Sequence, residues 1–170
     1  MTKQNRLTLN LVVSNALMAL AFYEEVLDAK RGDVFDFSNR QQENEVTVFV
    51  GNVALRLIDA NPLYDCVPPK EGETDSIWLQ LLVDDVEATL ARAERLGASA
   101  IQAPSEWMGM YHAQFTDPFG YTWTINQQLK EISFQDRYEA YLKFQEEKAD
   151  QKSEDEAEKT QKIKRSAQAT

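Results

Sequence analysis

The chain has 170 residues, 43% of them hydrophobic, so it can bury one core of moderate size but not two large domains. Its formal net charge of −10 argues against a nucleic-acid partner, because phosphate binding requires clustered Lys and Arg. No apolar run approaches the roughly 20 residues that span a bilayer, and residues 1–6 lack the apolar stretch of a secretory signal. We therefore expect a cytoplasmic protein that binds neither nucleic acid nor membrane.

The counts of cysteine and histidine limit the metal chemistry. The sequence has one cysteine, Cys66, and one histidine, His112. One thiol cannot form a disulfide framework, and these two residues are too few for a Cys/His zinc site. Nearly all of the excess negative charge lies before residue 130. An acidic domain of this kind favours cationic over anionic small molecules, although solubility alone also explains the charge.

The first half of the chain predicts a strand, a helix and three further strands. Residues 7–13 form an apolar run typical of a buried strand, and Asn15 is a good N-cap for the following helix. One face of that helix is apolar and carries Ala19, Phe22, Tyr23, Val26 and Leu27. Strands are predicted at residues 30–37, 45–51 and 52–59, and a loop rich in proline occupies residues 60–75.

The second half repeats the same order of elements. Residues 77–83 predict a strand, Asp85 is a second N-cap, and Gly97 stops the helix. The apolar stripe of this helix is Val86, Leu90, Ala93 and Leu96. Three strands follow at residues 99–103, 109–116 and 121–126. An offset of 70 positions aligns the two copies, and chance rarely reproduces a strand, a cap and a helix stripe together.

The composition changes after residue 129, so the predicted domain is 1–129, with modules at about 7–59 and 76–128. Ser133 and Asp136 have capping-box spacing at the start of a predicted amphipathic helix over residues 130–148. Its apolar face, expected to pack on the domain, carries Phe134, Tyr138, Tyr141 and Leu142. Residues 149–170 are charged and almost without apolar side chains, which predicts a mobile tail.

Several motifs of both halves resemble the vicinal oxygen chelate superfamily, which includes glyoxalases, bleomycin-resistance proteins and extradiol dioxygenases. The most specific is the turn Asp117-Pro118-Phe119-Gly120, in which the proline presets φ and the glycine permits a positive φ. Residues 11–15, 22–23, 26–29, 83–88 and 96–98, together with Ala93 and the residues that flank the turn within 115–123, also match. The resemblance implies an α+β fold in which two βαβββ modules form a cleft-lining sheet, and it suggests a homodimer.

Members of this superfamily usually bind a divalent ion in the cleft through His, Glu or Gln side chains. The resemblance puts the four ligand positions at Thr8, Arg56, Trp78 and Thr124. None of these residues supplies an imidazole, thiolate or carboxylate, which Zn²⁺, Ni²⁺ and Fe²⁺ prefer. We therefore expect neither a metal nor another cofactor.

Strand alternation identifies the side chains that would line the cleft, because alternate residues of a strand point to opposite faces. The predicted ligand-binding residues are Thr8, Asn10, Arg56, Trp78, Gln80, His112, Gln114 and Thr124. Such a surface can stack on and hydrogen-bond a small organic molecule of cationic or aromatic character. Sequestration of a ligand without turnover is our first hypothesis.

Two other hypotheses remain open from the sequence. In the first, the chain is a metal-independent enzyme that uses His112 or Arg56 for acid–base chemistry. In the second, the C-terminal helix binds a protein partner and the cleft has no role. Trp78 also has a structural interpretation, since a tryptophan at this position fills a core or subunit contact as readily as it stacks on a ligand.

Overall fold

A computed structural model of the chain describes residues 8–37, 43–70 and 77–167. The chain divides into two units, Met1–Leu129 and Lys130–Thr170. Residue 7 of the first predicted strand, residues 71–75 of the predicted loop and residues 168–170 of the predicted tail lie outside the described residues. No described helix is long and apolar enough to cross a membrane.

The first module has the predicted order of elements. They are β1 (Thr8–Val13), α1 (Ala16–Leu27), β2 (Lys30–Phe35), β3 (Glu45–Val50) and β4 (Val53–Asp59). The strands lie in the order β1-β4-β3-β2, with β1 parallel to β4 and the other neighbours antiparallel. A short 3-10 turn, Pro62–Tyr64, begins the loop that follows.

The second module repeats this arrangement and confirms the internal duplication. Its elements are β5 (Leu79–Leu82), α2 (Val86–Arg95), β6 (Ser99–Trp107), β7 (Met110–Thr116) and β8 (Thr122–Gln128), with the strand order β5-β8-β7-β6. The sixth strand continues to Trp107 instead of ending at residue 103. Pro104 lacks an N–H group, but β6 is an edge strand, where a missing donor is tolerated.

Both helices begin at the predicted caps. The side chain of Asn15 accepts a hydrogen bond from the N–H of Met18 at 2.9 Å, and Asp85 accepts one from Ala88 at 2.9 Å. Each such cap stabilises a helix by about 0.5 to 2 kcal/mol. The caps therefore fix where each chain segment leaves its strand and enters its helix.

A second side chain ties the start of each helix to the last strand of its own module. Oδ1 of Asp59 accepts a hydrogen bond from the N–H of Ala16 at 2.6 Å, and Oε1 of Gln127 accepts one from Val86 at 3.3 Å. Asp59 also accepts two hydrogen bonds from Asn44. Both modules thus satisfy the first helical N–H group in the same way.

The hydrophobic core is continuous across the two modules, because α1 and α2 contact each other and each packs on the strands of its own module. The predicted stripe of α1 is fully buried, and on α2 three of the four predicted positions are buried. The fourth prediction was wrong, since Leu96 is 41% exposed. The helix ends at Arg95, so Leu96 no longer follows the helical spacing that would bury it.

The buried carboxylate of Asp117 joins the two modules. Oδ2 accepts hydrogen bonds from the hydroxyl of Tyr23 on α1 at 2.7 Å and from the indole N–H of Trp123 on β8 at 2.9 Å. Oδ1 accepts two more from the backbone N–H groups of Phe119 and Tyr121, both at 2.9 Å. Burial raises the pKa of Asp117, and these hydrogen bonds, led by that of Tyr23, act against the rise.

The turn that carries Asp117 has the geometry expected from its sequence. Gly120 adopts a φ of 94°, a conformation that residues with a side chain rarely tolerate. A Cβ atom at this position would also lie 3.2 Å from the carbonyl oxygen of Pro69. The glycine is therefore needed both for the turn and for the close approach of the loop after β4.

The C-terminal helix is longer than predicted. The helix α3 spans Phe134–Ala167 and continues through residues 149–167, where the sequence predicted a separate tail. Ser133 caps it, accepting a hydrogen bond from the N–H of Asp136 at 3.1 Å. Its apolar residues Phe134, Tyr138, Tyr141 and Leu142 are 78%, 51%, 49% and 44% exposed. The packing of this face on the domain stays a prediction. The mobility of residues 149–170 stays a prediction.

Tyr23→Phe tests the link between the modules. The change removes one hydrogen bond to a buried carboxylate and should lower the free energy of unfolding at pH 7 by about 1 to 3 kcal/mol. The lost bond also lowered the pKa of Asp117, so that pKa rises further. A carboxyl whose pKa is higher in the folded state than in the unfolded state destabilises the fold when ionised. The loss of unfolding free energy caused by Tyr23→Phe should therefore become smaller as the pH falls towards the pKa that Asp117 has in the unfolded state.

Urea unfolding at pH 7 and pH 5 measures this difference. Tyr121→Phe is the control, since it removes a hydroxyl that bonds to the backbone carbonyl of Val12 instead of the carboxylate. Its loss of stability should depend less on pH than the loss in Tyr23→Phe. Equal losses at the two pH values in Tyr23→Phe would contradict the proposed role of the Asp117 carboxylate.

Candidate functional site

Each four-stranded sheet packs one face on a helix and leaves the other face open. On the sheet of the first module, Asn10 lies directly opposite Arg56, and Thr8 lies opposite Ala54. Thr8 and Asn10 are exposed, whereas Leu11 and Val13, one residue out of phase, are buried. The predicted positions Thr8, Asn10 and Arg56 therefore share the open face of this sheet.

Arg56 is held by an acidic neighbour on the same face. Its Nε lies 2.6 Å from Oε1 of Glu45, and a second contact joins its Nη2 to Oε2 of the same carboxylate. The hydrogen bond to Glu45 raises the pKa of Arg56 above its ordinary value. The guanidinium thus stays protonated, and its charge is balanced within the module.

The open face of the second sheet carries a row of uncharged polar side chains. Gln80 lies opposite Thr124, and Gln114 lies opposite Thr124 on its other side. Gln102 extends the row onto β6. Nε2 of Gln114 donates a hydrogen bond to Oγ1 of Thr124 at 3.0 Å. Four strands thus contribute one hydrogen-bonding side chain each, and three of the four were predicted site residues.

His112 lies in the next row of the same face. It is paired with Asn126 on β8 and with Ser105 on β6. Its Nε2 is 3.1 Å from Nε2 of Gln102, which also donates to Oγ of Ser105 at 3.2 Å. Among the described residues no carboxylate lies within hydrogen-bonding distance of the imidazole. A proton relay through His112 therefore has no second carboxylate member in the described part of the chain.

Trp78 lies just before β5, two residues before Gln80. Its side chain is 58% exposed. A tryptophan that fills a core is buried, so the interpretation of Trp78 as core filler within the chain is wrong. A flat aromatic surface of this size next to polar side chains is free to stack on a ligand or a partner.

The two halves of the predicted cleft do not meet within the chain. Among the described strands, no Cα atom of the first sheet lies within 8 Å of a Cα atom of the second sheet. The expected single cleft-lining sheet is therefore two separate sheets. The reason is the contact between α1 and α2, because the helices fill the space between the modules and the open faces lie on the sides away from them.

A shallow depression of about 320 Å³ lies at one end of the second sheet. It is lined by Leu82, Val83, Asp84, Gln127 and Gln128. None of the predicted site residues lines it. The predicted positions thus form open faces of two sheets instead of the wall of this depression.

The side chains at the four family ligand positions do not fit a transition metal. Thr124 accepts a hydrogen bond from Gln114, Arg56 is bound to Glu45, and the indole of Trp78 has no lone pair to donate. No group of three or more His, Cys, Asp or Glu side chains that could hold a metal occurs in the described part of the chain. The donor chemistry therefore disagrees with that of the metal-binding members.

Four polar residues of these faces are not among the residues predicted from the sequence: Glu45, Gln102, Ser105 and Asn126. Asn126 follows Thr124 by two residues on β8 and so lies on the same face. Strand alternation would therefore have identified Asn126. Ser105 lay beyond the predicted end of β6, and the register of β6 shifts between Gln102 and Ser105. A sequence pattern of period two cannot follow a strand through such a shift.

The fold and the sequence together define the family. The model of the Glyoxalase/Bleomycin resistance protein/Dioxygenase superfamily matches residues 4–125. The chain belongs to this superfamily. No curated protein gives a significant sequence match to it.

Solved structures share this fold. Hypothetical protein SA1046 from S. aureus has 19% identity and a TM-score of 0.56, covering 75% of this chain and 95% of that one. A family enzyme from Burkholderia phytofirmans PsJN has 23% identity and a TM-score of 0.54, covering 72% and 97%. The fosfomycin resistance protein FosX from Mesorhizobium loti has 14% identity and a TM-score of 0.54, covering 77% and 95%. At these identities the similarity shows the fold alone.

The absence of suitable donors predicts that the purified protein carries no stoichiometric transition metal. Elemental analysis should find far less than one Zn, Ni, Fe or Mn per chain, and EDTA should leave the melting temperature unchanged. A fosfomycin resistance protein that binds Mn(II) is a suitable positive control for the analysis. One bound metal per chain, or a chelator-induced fall in melting temperature, would refute this prediction.

Proposed function

We propose that the chain is a metal-free protein that binds a small aromatic or cationic molecule on the open faces of its sheets. The observation that carries the proposal is the exposed ring of Trp78 beside the polar row of Gln80, Thr124 and Gln114. An apolar stacking surface next to a few hydrogen-bonding groups is typical of ligand sites. The lone thiol of Cys66 is compatible with the cytoplasmic location that we propose for this activity.

The side-chain contacts favour binding over catalysis. Arg56 stays protonated and is engaged by Glu45, so it is unsuited to accept or donate a proton. His112 has an amide neighbour, Gln102, and a general base in proteins is usually oriented by a carboxylate or carbonyl partner. These contacts do not support the hypothesis of a metal-independent enzyme that uses His112 or Arg56.

The proposal includes a homodimer in which the first sheet of one copy faces the second sheet of the other. Within one chain the two faces lie on the sides away from the helices, so only a second copy can bring them together. Exposed apolar side chains accompany the polar ones on these faces, including Phe35, Phe49 and Leu82, which are 53%, 36% and 65% exposed. Covering such residues with a second copy removes apolar surface from water and stabilises the dimer.

Trp78→Ala tests the binding proposal. When a library of flat aromatic and cationic compounds is titrated, the tryptophan fluorescence of the native protein should respond to at least one member. The substitution should weaken that binding by about 1 to 3 kcal/mol, the usual effect of losing one aromatic contact. Because the ring is exposed, urea denaturation of the variant should show little loss of stability.

Tyr64→Ala is the matched control, since Tyr64 is also an exposed aromatic residue, at 76%, and lies outside the proposed site. It should leave ligand affinity and stability unchanged. Two results would defeat the proposal: a fluorescence signal that no compound in the library alters, or equal affinities of native protein and Trp78→Ala variant for every compound that binds.

A second candidate function has its own observation. The first turns of α3 expose a stripe of aromatic and apolar residues, with the rings of Phe134 and Tyr138 stacked at a centroid distance of 6.3 Å. Exposed aromatic side chains on one helix face are enriched at protein–protein contacts. The chain is then an interaction module in which α3 binds a protein partner.

A chain that ends at Leu129 separates the two candidates. The described core residues all lie before residue 126, so the shortened chain should fold and should retain the affinity for any compound found with the full chain. Binding of a protein partner through α3 should be lost. The interaction module would be excluded if a partner captured by the full chain bound the shortened chain equally well.

A further inference from the structure

The open face of the second sheet has no ionic side chain. On this face the described strands carry Gln80, Gln102, Gln114, Thr124, Asn126, His112 and Ser105, and they carry no Asp, Glu, Lys or Arg. This is unusual for a domain whose excess charge is strongly negative. A charged ligand that left water for this face would find no counter-ion there, which costs free energy.

Amide side chains supply both a donor and an acceptor. Gln80 is exposed and forms no side-chain hydrogen bond with the described residues, so its C=O and NH₂ groups are available to a ligand. Gln114 donates one N–H to Thr124 and keeps its carbonyl oxygen. The row therefore offers both donors and acceptors.

Asn126 adds a donor that the described chain leaves unsatisfied. The residue is 6% exposed, and its Nδ2 atom is buried without a hydrogen-bond partner among the described residues. A buried N–H group in this state costs about 1 to 3 kcal/mol. Leu82, the neighbour of Asn126 on β5, is 65% exposed, and rotation of an exposed side chain is fast enough to admit an acceptor.

The shape of the ligand follows from Trp78. Trp78 lies two residues before Gln80 and is 58% exposed, so its ring offers a flat apolar surface against which a planar molecule stacks best. The amide groups then meet the edge of that molecule. Adjacent N–H and C=O groups on a heteroaromatic ring match an amide side chain with two parallel hydrogen bonds.

We propose that the second sheet recognises an uncharged, planar heteroaromatic molecule whose edge carries neighbouring N–H and C=O groups. This inference rests on the proposed function and narrows its ligand from aromatic or cationic compounds to neutral lactam-type aromatic ones. In the proposed dimer, the first sheet of a second copy faces this ligand. The Arg56–Glu45 ion pair of that sheet has no net charge, so the surroundings of the ligand stay neutral.

Three bicyclic probes of matched size test the charge preference. They are 2-quinolone, which is neutral and has the required edge, N-methylquinolinium, which is cationic, and quinoline-2-carboxylate, which is anionic. Isothermal titration of the full chain should give 2-quinolone at least a tenfold tighter dissociation constant than either ion. An ion that binds as tightly as 2-quinolone overturns the inference.

Three variants test the residues. Gln80→Leu and Asn126→Leu should each weaken 2-quinolone binding roughly tenfold, as the loss of one hydrogen bond does. Asn126→Leu should not lower the melting temperature, because it replaces an unsatisfied buried amide with an apolar side chain of similar size. Gln145→Leu, an exposed change on α3, is the control and should leave affinity unchanged.

The outcomes separate this inference from the proposed function. Unchanged affinity in Gln80→Leu and Asn126→Leu overturns the inference, even if 2-quinolone binds. Failure of all three probes also overturns it, whereas the proposed function is judged by the wider library and Trp78→Ala. A library hit that is cationic and depends on Trp78 would support the proposed function and refute the neutral ligand.

Discussion

The structure depends on one buried carboxylate. Asp117 receives hydrogen bonds from α1, from β8 and from its own turn, so a single side chain fixes both the turn and the approach of the first helix. The ring of Tyr23 packs edge-to-face against Trp123 at 5.5 Å, beside the same carboxylate. Three of the four donors lie in the second module, whereas the hydroxyl of Tyr23 comes from the first, so this one hydrogen bond links the two modules. The packing of the aromatic rings and the hydrogen bonds of the buried carboxylate thus favour the same position of Tyr23 against the second module.

This arrangement limits which surfaces of one chain can form a site. The helices occupy the space between the modules, so each sheet offers its outer face alone. The first sheet presents a balanced ion pair, Arg56 with Glu45, and the second presents amide and hydroxyl groups. The two faces differ in chemistry, although their strands have the same topology. A duplicated fold thus carries two different surfaces.

The chemistry of the faces differs from that expected of a metal site. The superfamily fold supplies strands at defined positions, but the residues at the four ligand positions are a threonine pair, an arginine and a tryptophan. Arginine repels a cation and tryptophan cannot ligate one, whereas both suit recognition of organic groups.

The sequence by itself determined the order of elements, the caps at Asn15 and Asp85, and the phase of residues on most strands, because these depend on neighbours within a few positions. It could not determine that α1 and α2 pack on each other, which separates Arg56 from Trp78, since that contact joins residues far apart in the chain. Nor could it determine that Glu45 holds Arg56 or that Nδ2 of Asn126 has no hydrogen-bond partner among the described residues. Those facts depend on cross-strand register, which hydrogen bonding between distant segments sets.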